Sequence, residues 1–346
     1  MNDLAEILQT AENNLRALEL FSSYLHICPA FVKAQDVQSL RDGCGVDAET
    51  AVRLLIAAAC GLNAEEREQD RVLEEGYFRQ AIHRLNADEC RRDPYYQTIR
   101  LPETSRGAWK MGYKTIQAYE AFTSDDLKVL RDGREIPQIG FFEEDFRAPV
   151  VEENGREWMT VTPSEINTMT ADIRAAHGKT AVFGLGLGYY AFMASEKTEV
   201  TQVVVIERDA SVISLFEEFI LPQFPNRHKV QVVEADAFEF ARNMGAEAFD
   251  CAYVDIWHDV LDGVEMYLKM KRLEKFSPST AFLYWIEPSM LAWLRGMALM
   301  EFAENFEGPM RQTIGPVQTA DELMEKLSDN HLKKMAARIP LEVTKH

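Results

Sequence analysis

A chain of 346 residues, 47% of them hydrophobic, is long enough to bury one full core or two. Its formal net charge of −19 repels phosphate backbones and anionic lipids, which argues against nucleic acid and against a membrane surface as partners. A small-molecule or protein substrate remains, a cationic one fitting the charge, and a second copy of the chain in a homodimer remains as well. The cysteines (Cys28, Cys44, Cys60, Cys90, Cys251) are scattered, with no C-x-x-C pair. Reduced thiols in a cytoplasmic protein are therefore expected, not a disulfide framework or a zinc site.

At the N-terminus, Asp3, Glu6 and Glu12 interrupt the sequence too early for a secretion signal, and no apolar run approaches the ~20 residues of a bilayer span. Leu4, Ile7, Leu8, Ala11, Leu15 and Leu18 share one face of a first helix behind a cap at Asp3. A second helix starts at the Asp47 cap and stops at Gly61, and a third, over 63–86, carries a charged, solvated face. Residues 1–95 are thus expected to form a helical domain. A helix–turn–helix within it lacks the basic stripe that DNA binding needs. From Pro94 the texture changes. Asp132-Gly133 and Asn154-Gly155 mark tight turns between alternating strands, so 96–178 is expected to be a linker with one small antiparallel sheet over 129–161. Thr162-Pro163-Ser164-Glu165 reads as a capping box opening a helix that runs to about His177 and stops at Gly178. Across 179–346, apolar strands (180–184, 202–207, 229–233, 249–255, 280–286) alternate with helices (189–196, 210–220, 237–244, 263–273, 289–300). Continuous apolar strands separated by helices predict a doubly wound α/β domain, its parallel sheet covered on both faces.

Such sheets bind ligands at the carboxyl ends of the strands where strand order reverses, and the first strand–helix turn lies there. Here that turn holds Gly184, Gly186 and Gly188. In the dinucleotide fingerprint G-x-G-x-x-G the third glycine would fall on Tyr189, which is too large, so NAD and FAD are disfavoured. Glu207 ends the second strand, where a carboxylate accepts hydrogen bonds from the ribose hydroxyls of an adenosine. Asp236, after the third strand, either accepts from an adenine amino group, with Ala237 and Phe238 flanking the ring, or caps the next helix. Asp255 ends the fourth strand, beside the place a reacting group would occupy.

This set of positions resembles the class I S-adenosylmethionine-dependent methyltransferases, and most nearly their spermidine synthase branch. "VIERDASVI" at 205–213 looks like that branch's acid-x-Asp-x-x-Val-Ile stretch, "EADAFEFAR" at 234–242 like its Asp-Gly-Phe-x-Phe segment, and "FDCAYVD" at 249–255 like its Phe-Asp-x-Ile-x-x-Asp strand. The resemblance covers about 130–290. It implies a Rossmann-like methyltransferase sheet preceded by a small antiparallel β-segment. It also implies S-adenosylmethionine as cofactor, with Gly184, Gly186, Gly188, Glu207, Asp236, Ala237 and Asp255 around it. The substrate half departs from the branch. Asp255 is followed by Ile256-Trp257-His258-Asp259 and not by Ser/Thr-Ser/Thr-Asp-Pro, and the branch's Tyr-His-Glu segment would fall near 164–168, which reads Ser-Glu-Ile-Asn-Thr.

For catalysis, Asp255 is the first candidate as base or orienting acceptor, with His258 and Asp259 next. Trp257 and Trp285 wall the pocket or pack in the core, and Glu287 faces the same cleft or starts a helix. "DIWHD" also resembles the Asp-x-Trp-x-Asp of catechol-type O-methyltransferases, where the first acid binds magnesium. The Asp-Asn of their next strand is missing from "YWIEPS", so no metal is expected. Three readings follow: a methyltransferase acting on a small molecule or protein side chain, an aminopropyltransferase using the decarboxylated cofactor, or a non-catalytic scaffold.

Overall fold

In the computed structural model, which describes residues 4–341, the apolar runs of the second half pair side by side. Strands β8 (Gly178–Phe183), β9 (Val200–Glu207), β10 (Val230–Glu234), β11 (Cys251–Val254) and β12 (Ala281–Tyr284) form one parallel sheet in the order β10-β9-β8-β11-β12. Alternate residues feed two cores. Ala181, Phe183, Val204, Ile206, Ala252 and Val254 pack on one face, and Val182, Val203, Val205 and Tyr253 on the other. The chain winds outward from β8 through β9 to β10, then returns to lay β11 on the other side of β8. That reversal opens a crevice at the carboxyl ends of β8 and β11. The Rossmann-like sheet and its five strands are as the sequence predicts.

The β-segment before the parallel sheet is larger than expected and is two sheets, one mixed, with β1 parallel to β5, and one antiparallel. Strands β1 (Ile82–Arg84), β5 (Glu135–Phe141) and β4 (Phe122–Val129) form the first, and β2 (Thr104–Arg106), β3 (Trp109–Ile116), β6 (Phe146–Glu153) and β7 (Arg156–Thr160) the second. Both predicted turns exist. Gly133 joins β4 to β5 with φ +85°, and Asn154 and Gly155 join β6 to β7 with φ of +52° and +76°. The two hairpins are split because their further partners lie upstream: Ile82 pairs with Ile139, and Trp109 with Glu153.

The first eighty residues are mostly helical (Leu4–Ile27, Ala34–Cys44, Ala48–Ala59 and a run from Glu68 to Ala81 through a π turn at Glu74–Phe78). They do not close a core of their own. Ala17, Phe21, Tyr24, Val52 and Phe78 pack together with Ile136, Ile139 and Phe141 of β5. The face expected on the first helix is correspondingly rotated. Ile7 is buried with Ala17, Phe21 and Tyr24, whereas Leu4, Leu15 and Leu18 are exposed. The expected cap Asp3 lies outside the described residues.

Helix Pro163–Ala175 starts where predicted, with Pro163 in its first turn. The capping box is not formed: the Thr162 side chain makes no capping bond, and Glu165 points elsewhere. The helix ends before His177, and Gly178 opens β8 with φ +58° in place of stopping the helix. Helices Glu287–Ala303, Pro309–Ile314, Ala320–Lys326 and Asp329–Met335 complete the chain. No helix among the described residues is long and apolar enough to cross a membrane, and the cysteines are unpaired.

Candidate functional site

The turn after β8 runs hard against the end of β11. Gly184 has φ +95°, and a Cβ there would stand 1.8 Å from the Asp255 carbonyl oxygen, so only glycine lets the two strand ends meet. Gly186 also lines the cavity, with φ +50°, and a Cβ there would lie 2.3 Å from Sδ of Met159, a β7 residue that reaches across to the turn. Gly188 is not part of the site. It precedes helix Tyr189–Glu196, packs on the Phe216 ring and does not line the cavity.

The cavity at these strand ends is lined by Trp158, Met159, Glu165, Gly184, Leu185, Gly186, Glu207, Arg208, Asp236, Ala237, Phe238, Asp255, Trp257, His258 and Trp285, among others. Glu207 organises the turn. Its Oε1 accepts from the Arg208 and Asp209 amides at 2.7 and 2.9 Å, and its Oε2 accepts from the Leu185 amide at 3.2 Å. One acceptor direction remains on Oε2, enough for one ribose hydroxyl and not for two. Asp236 caps helix Ala237–Asn243, its Oδ1 accepting from the Phe238 and Glu239 amides, and the residue also lines the cavity. Ala237 and Phe238 line it too, with Lys269 Nζ lying 3.7 Å from the Phe238 ring centroid.

Asp255 sits at the floor of the cavity. The residue is half-buried there. That burial pushes its carboxyl up to about 7. Glu165 lines the same space, held well above the usual carboxylate range by burial first and by the charge of Asp255 second. Among the described residues no donor bonds to either carboxyl. The capping-box pattern hid Glu165 in the sequence. The signal that could have found it is its place in the segment where the polyamine synthases carry a glutamate of their own.

His258 lines the cavity with its ring tilted 31° against Trp158 at 5.7 Å. Trp257 is buried and Trp285 donates its indole N–H to Thr168 Oγ1 at 3.0 Å, so both wall the cavity while packing in the core. Asp259 is outside the site. It is exposed and caps helix Val260–Leu273, accepting from the Leu261 and Asp262 amides in a capping box with Asp262. Glu287 does not reach the cleft either; it bonds to Tyr267 Oη at 2.8 Å and Lys333 Nζ at 2.5 Å. Among the described residues no cluster of three His, Cys, Asp or Glu side chains is arranged to hold a metal ion.

A Rossmann-like sheet with a cleft at its switch point is the class this geometry defines. The chain matches no known protein family and no curated protein by sequence. Among solved structures it is similar to a spermidine synthase from Thermotoga maritima, at 14% identity over 43% of this chain and 59% of that one, with a TM-score of 0.32. It is also similar to a putative O-methyltransferase from Klebsiella pneumoniae (18%, 49% and 66%, TM-score 0.27) and to a probable spermidine synthase from Corynebacterium glutamicum (13%, 45% and 62%, TM-score 0.32). The chain thus spans less than two thirds of the length of each. What it does must be read from its own cleft.

Proposed function

We propose that this chain binds S-adenosylmethionine in the cleft and transfers its methyl group to an amine. The observation that carries this reading is the pair Glu165 and Asp255, two carboxyls that line the cavity beside the glycine turn and have no donor of their own. Buried carboxyls without partners are costly, and an ammonium group supplies both the charge and the N–H donors they lack. On the other side of the cavity, the free direction of Glu207 Oε2 suits a ribose hydroxyl, and Asp236, Ala237 and Phe238 frame a purine.

When bound, the cofactor supplies a methyl carbon made electrophilic by its sulfonium. The protein's part is to position and deprotonate the acceptor. An amine attacks only as the free base, so Asp255, held at about 7, takes its proton near neutral pH, where an ordinary aspartate would be too weak a base. Glu165 keeps the second side of the ammonium group in place, and the Trp158 and Trp285 rings close the walls.

A second reading, aminopropyl transfer from the decarboxylated cofactor, is favoured by one specific observation. The Leu185 and Leu187 amides of the turn are already taken by Glu207 Oε2 and Met159 Sδ, and four carboxylates line the cavity. A carboxylate on the donor's tail finds few partners there. Incubation of the protein with a panel of primary amines and either cofactor, read by mass spectrometry, separates the two by the mass added. Absence of any modified amine, together with absence of binding to either cofactor, would leave the fold as a scaffold and sink both readings.

A further inference from the structure

We infer that the Met159 thioether sets how the cleft treats the tail of its donor. Seated on the glycine turn, it keeps the turn from recognising a tail carboxylate, a selectivity that rests on the adenosyl sulfonium reading proposed above.

Met159 reaches the turn through an irregularity in its hairpin. Strands β6 and β7 pair Val150 with Thr160 and Val151 with Met159, but Glu152 then pairs with Glu157 and Glu153 with Arg156. Trp158 is thus an extra residue on β7, a β-bulge. Neighbouring side chains of a regular strand point to opposite faces. Trp158 and Met159 are neighbours and yet both line the cavity, which the bulge permits. The Trp158 ring lies 5.7 Å from that of His258, centroid to centroid. Met159 packs, half-buried, against the core that Val182 and Tyr253 share, and its sulfur comes to rest on the turn.

The turn's own hydrogen bonds show what the sulfur does there. The Gly184 amide donates to the Ile206 carbonyl at 2.9 Å, the Leu185 amide to Glu207 Oε2 at 3.2 Å, and the Gly188 amide to the Leu185 carbonyl at 2.8 Å. The Leu187 amide donates to Met159 Sδ at 3.4 Å. Three amides meet oxygen and this one meets a thioether, which is a weak acceptor. Gly186, without a Cβ, leaves the room that the sulfur fills. A carboxylate in the same place would accept from the Leu187 amide in a charge-assisted bond, about twice as strong as a neutral one. It gains that bond only by dislodging Met159 from the core it packs against. With Met159 in place, the cleft holds the sulfonium and the adenosine while the tail carboxylate gains nothing from the turn. The methyl group is delivered either way.

Titration calorimetry of the full chain with S-adenosylmethionine and with its decarboxylated analogue reads the ratio of the two affinities. Wild type should bind the carboxylated donor no more tightly than the decarboxylated one. Met159→Ala uncovers the Leu187 amide and should shift the ratio about tenfold toward S-adenosylmethionine, with the affinity for the decarboxylated donor within a few-fold of wild type. A merely structural role for Met159 would weaken both donors together and leave the ratio alone. Tighter binding of the carboxylated donor by wild type overturns the assignment, a result that needs no variant to fold. An unshifted ratio in Met159→Ala overturns it as well. Binding of neither donor by wild type fails at the cofactor reading itself, a distinct result that also takes this selectivity away.

Discussion

In the proposed reaction Asp255 and Glu165 hold the chemistry of the cleft, and the protonation of Asp255 sets its pH dependence. Because burial raises Asp255 to about 7, it is protonated and unable to accept below that pH. Turnover should rise with the ionised fraction through neutrality and level off above it. Asp255→Asn should lower turnover about 10²- to 10⁴-fold and leave cofactor affinity within a few-fold, since the amide keeps the shape and loses the base. Near-normal turnover in that variant would remove Asp255 from catalysis. Most of the site was legible at this scale. Glu207, Asp236 and Asp255 end apolar strands, and topology alone sends strand ends of a parallel sheet to one crevice. Glu165 was not legible, because Thr-Pro-Ser-Glu satisfies a local capping rule and only the packing of its helix against β4 and helix Tyr189–Glu196 shows where the carboxyl goes. Asp259 differs the other way: it lies four residues from Asp255, but its Oδ1 caps its own helix and the residue does not line the cavity.

Helix Pro163–Ala175 is the element that joins the site to the rest of the protein. It brings Glu165 to the cavity, Thr168 to the Trp285 indole and Asn167 to the Ser124 carbonyl of β4. Asp259 belongs to the neighbouring element and makes a sharp contrast with Asp255. Asp259→Asn should be nearly neutral, and Asp259→Ala should cost about 1 kcal/mol in denaturant unfolding with turnover unchanged. A large loss of turnover would return Asp259 to the catalytic set. Strands of the parallel sheet were visible because burial on both faces makes them continuous apolar runs. The hairpins were visible from Asp-Gly and Asn-Gly. Membership of two separate sheets was not, because Ile82 of β1 pairs with Ile139 and Trp109 of β3 pairs with Glu153, far along the chain, and no local pattern records that.

Across the whole molecule, several acids are held in the protonated direction: Asp126 at about 6, Asp172 and Asp255 at about 7, and Glu165 well above its ordinary value, each mainly by burial. In the unfolded chain these groups titrate near 4, so between about 4 and 7 the folded state binds more protons and stability falls as pH rises. The melting temperature should be higher at about pH 5 than at about pH 8, and Asp172→Asn should flatten the difference; a melting temperature that climbs over this range would contradict the burial of these acids. The shared core makes a second forecast. A fragment of residues 1–95 lacks Ile136, Ile139 and Phe141, and should show no cooperative unfolding by itself. The central claim is that the crevice at the ends of β8, β9 and β11 holds an adenosyl sulfonium, and titration calorimetry of wild type and Glu207→Ala with S-adenosylmethionine tests it most directly. One molecule bound per chain, with affinity about tenfold or more weaker when the Glu207 carboxylate is removed, is the predicted result. No heat with wild type, or equal affinity in the two proteins, would contradict it.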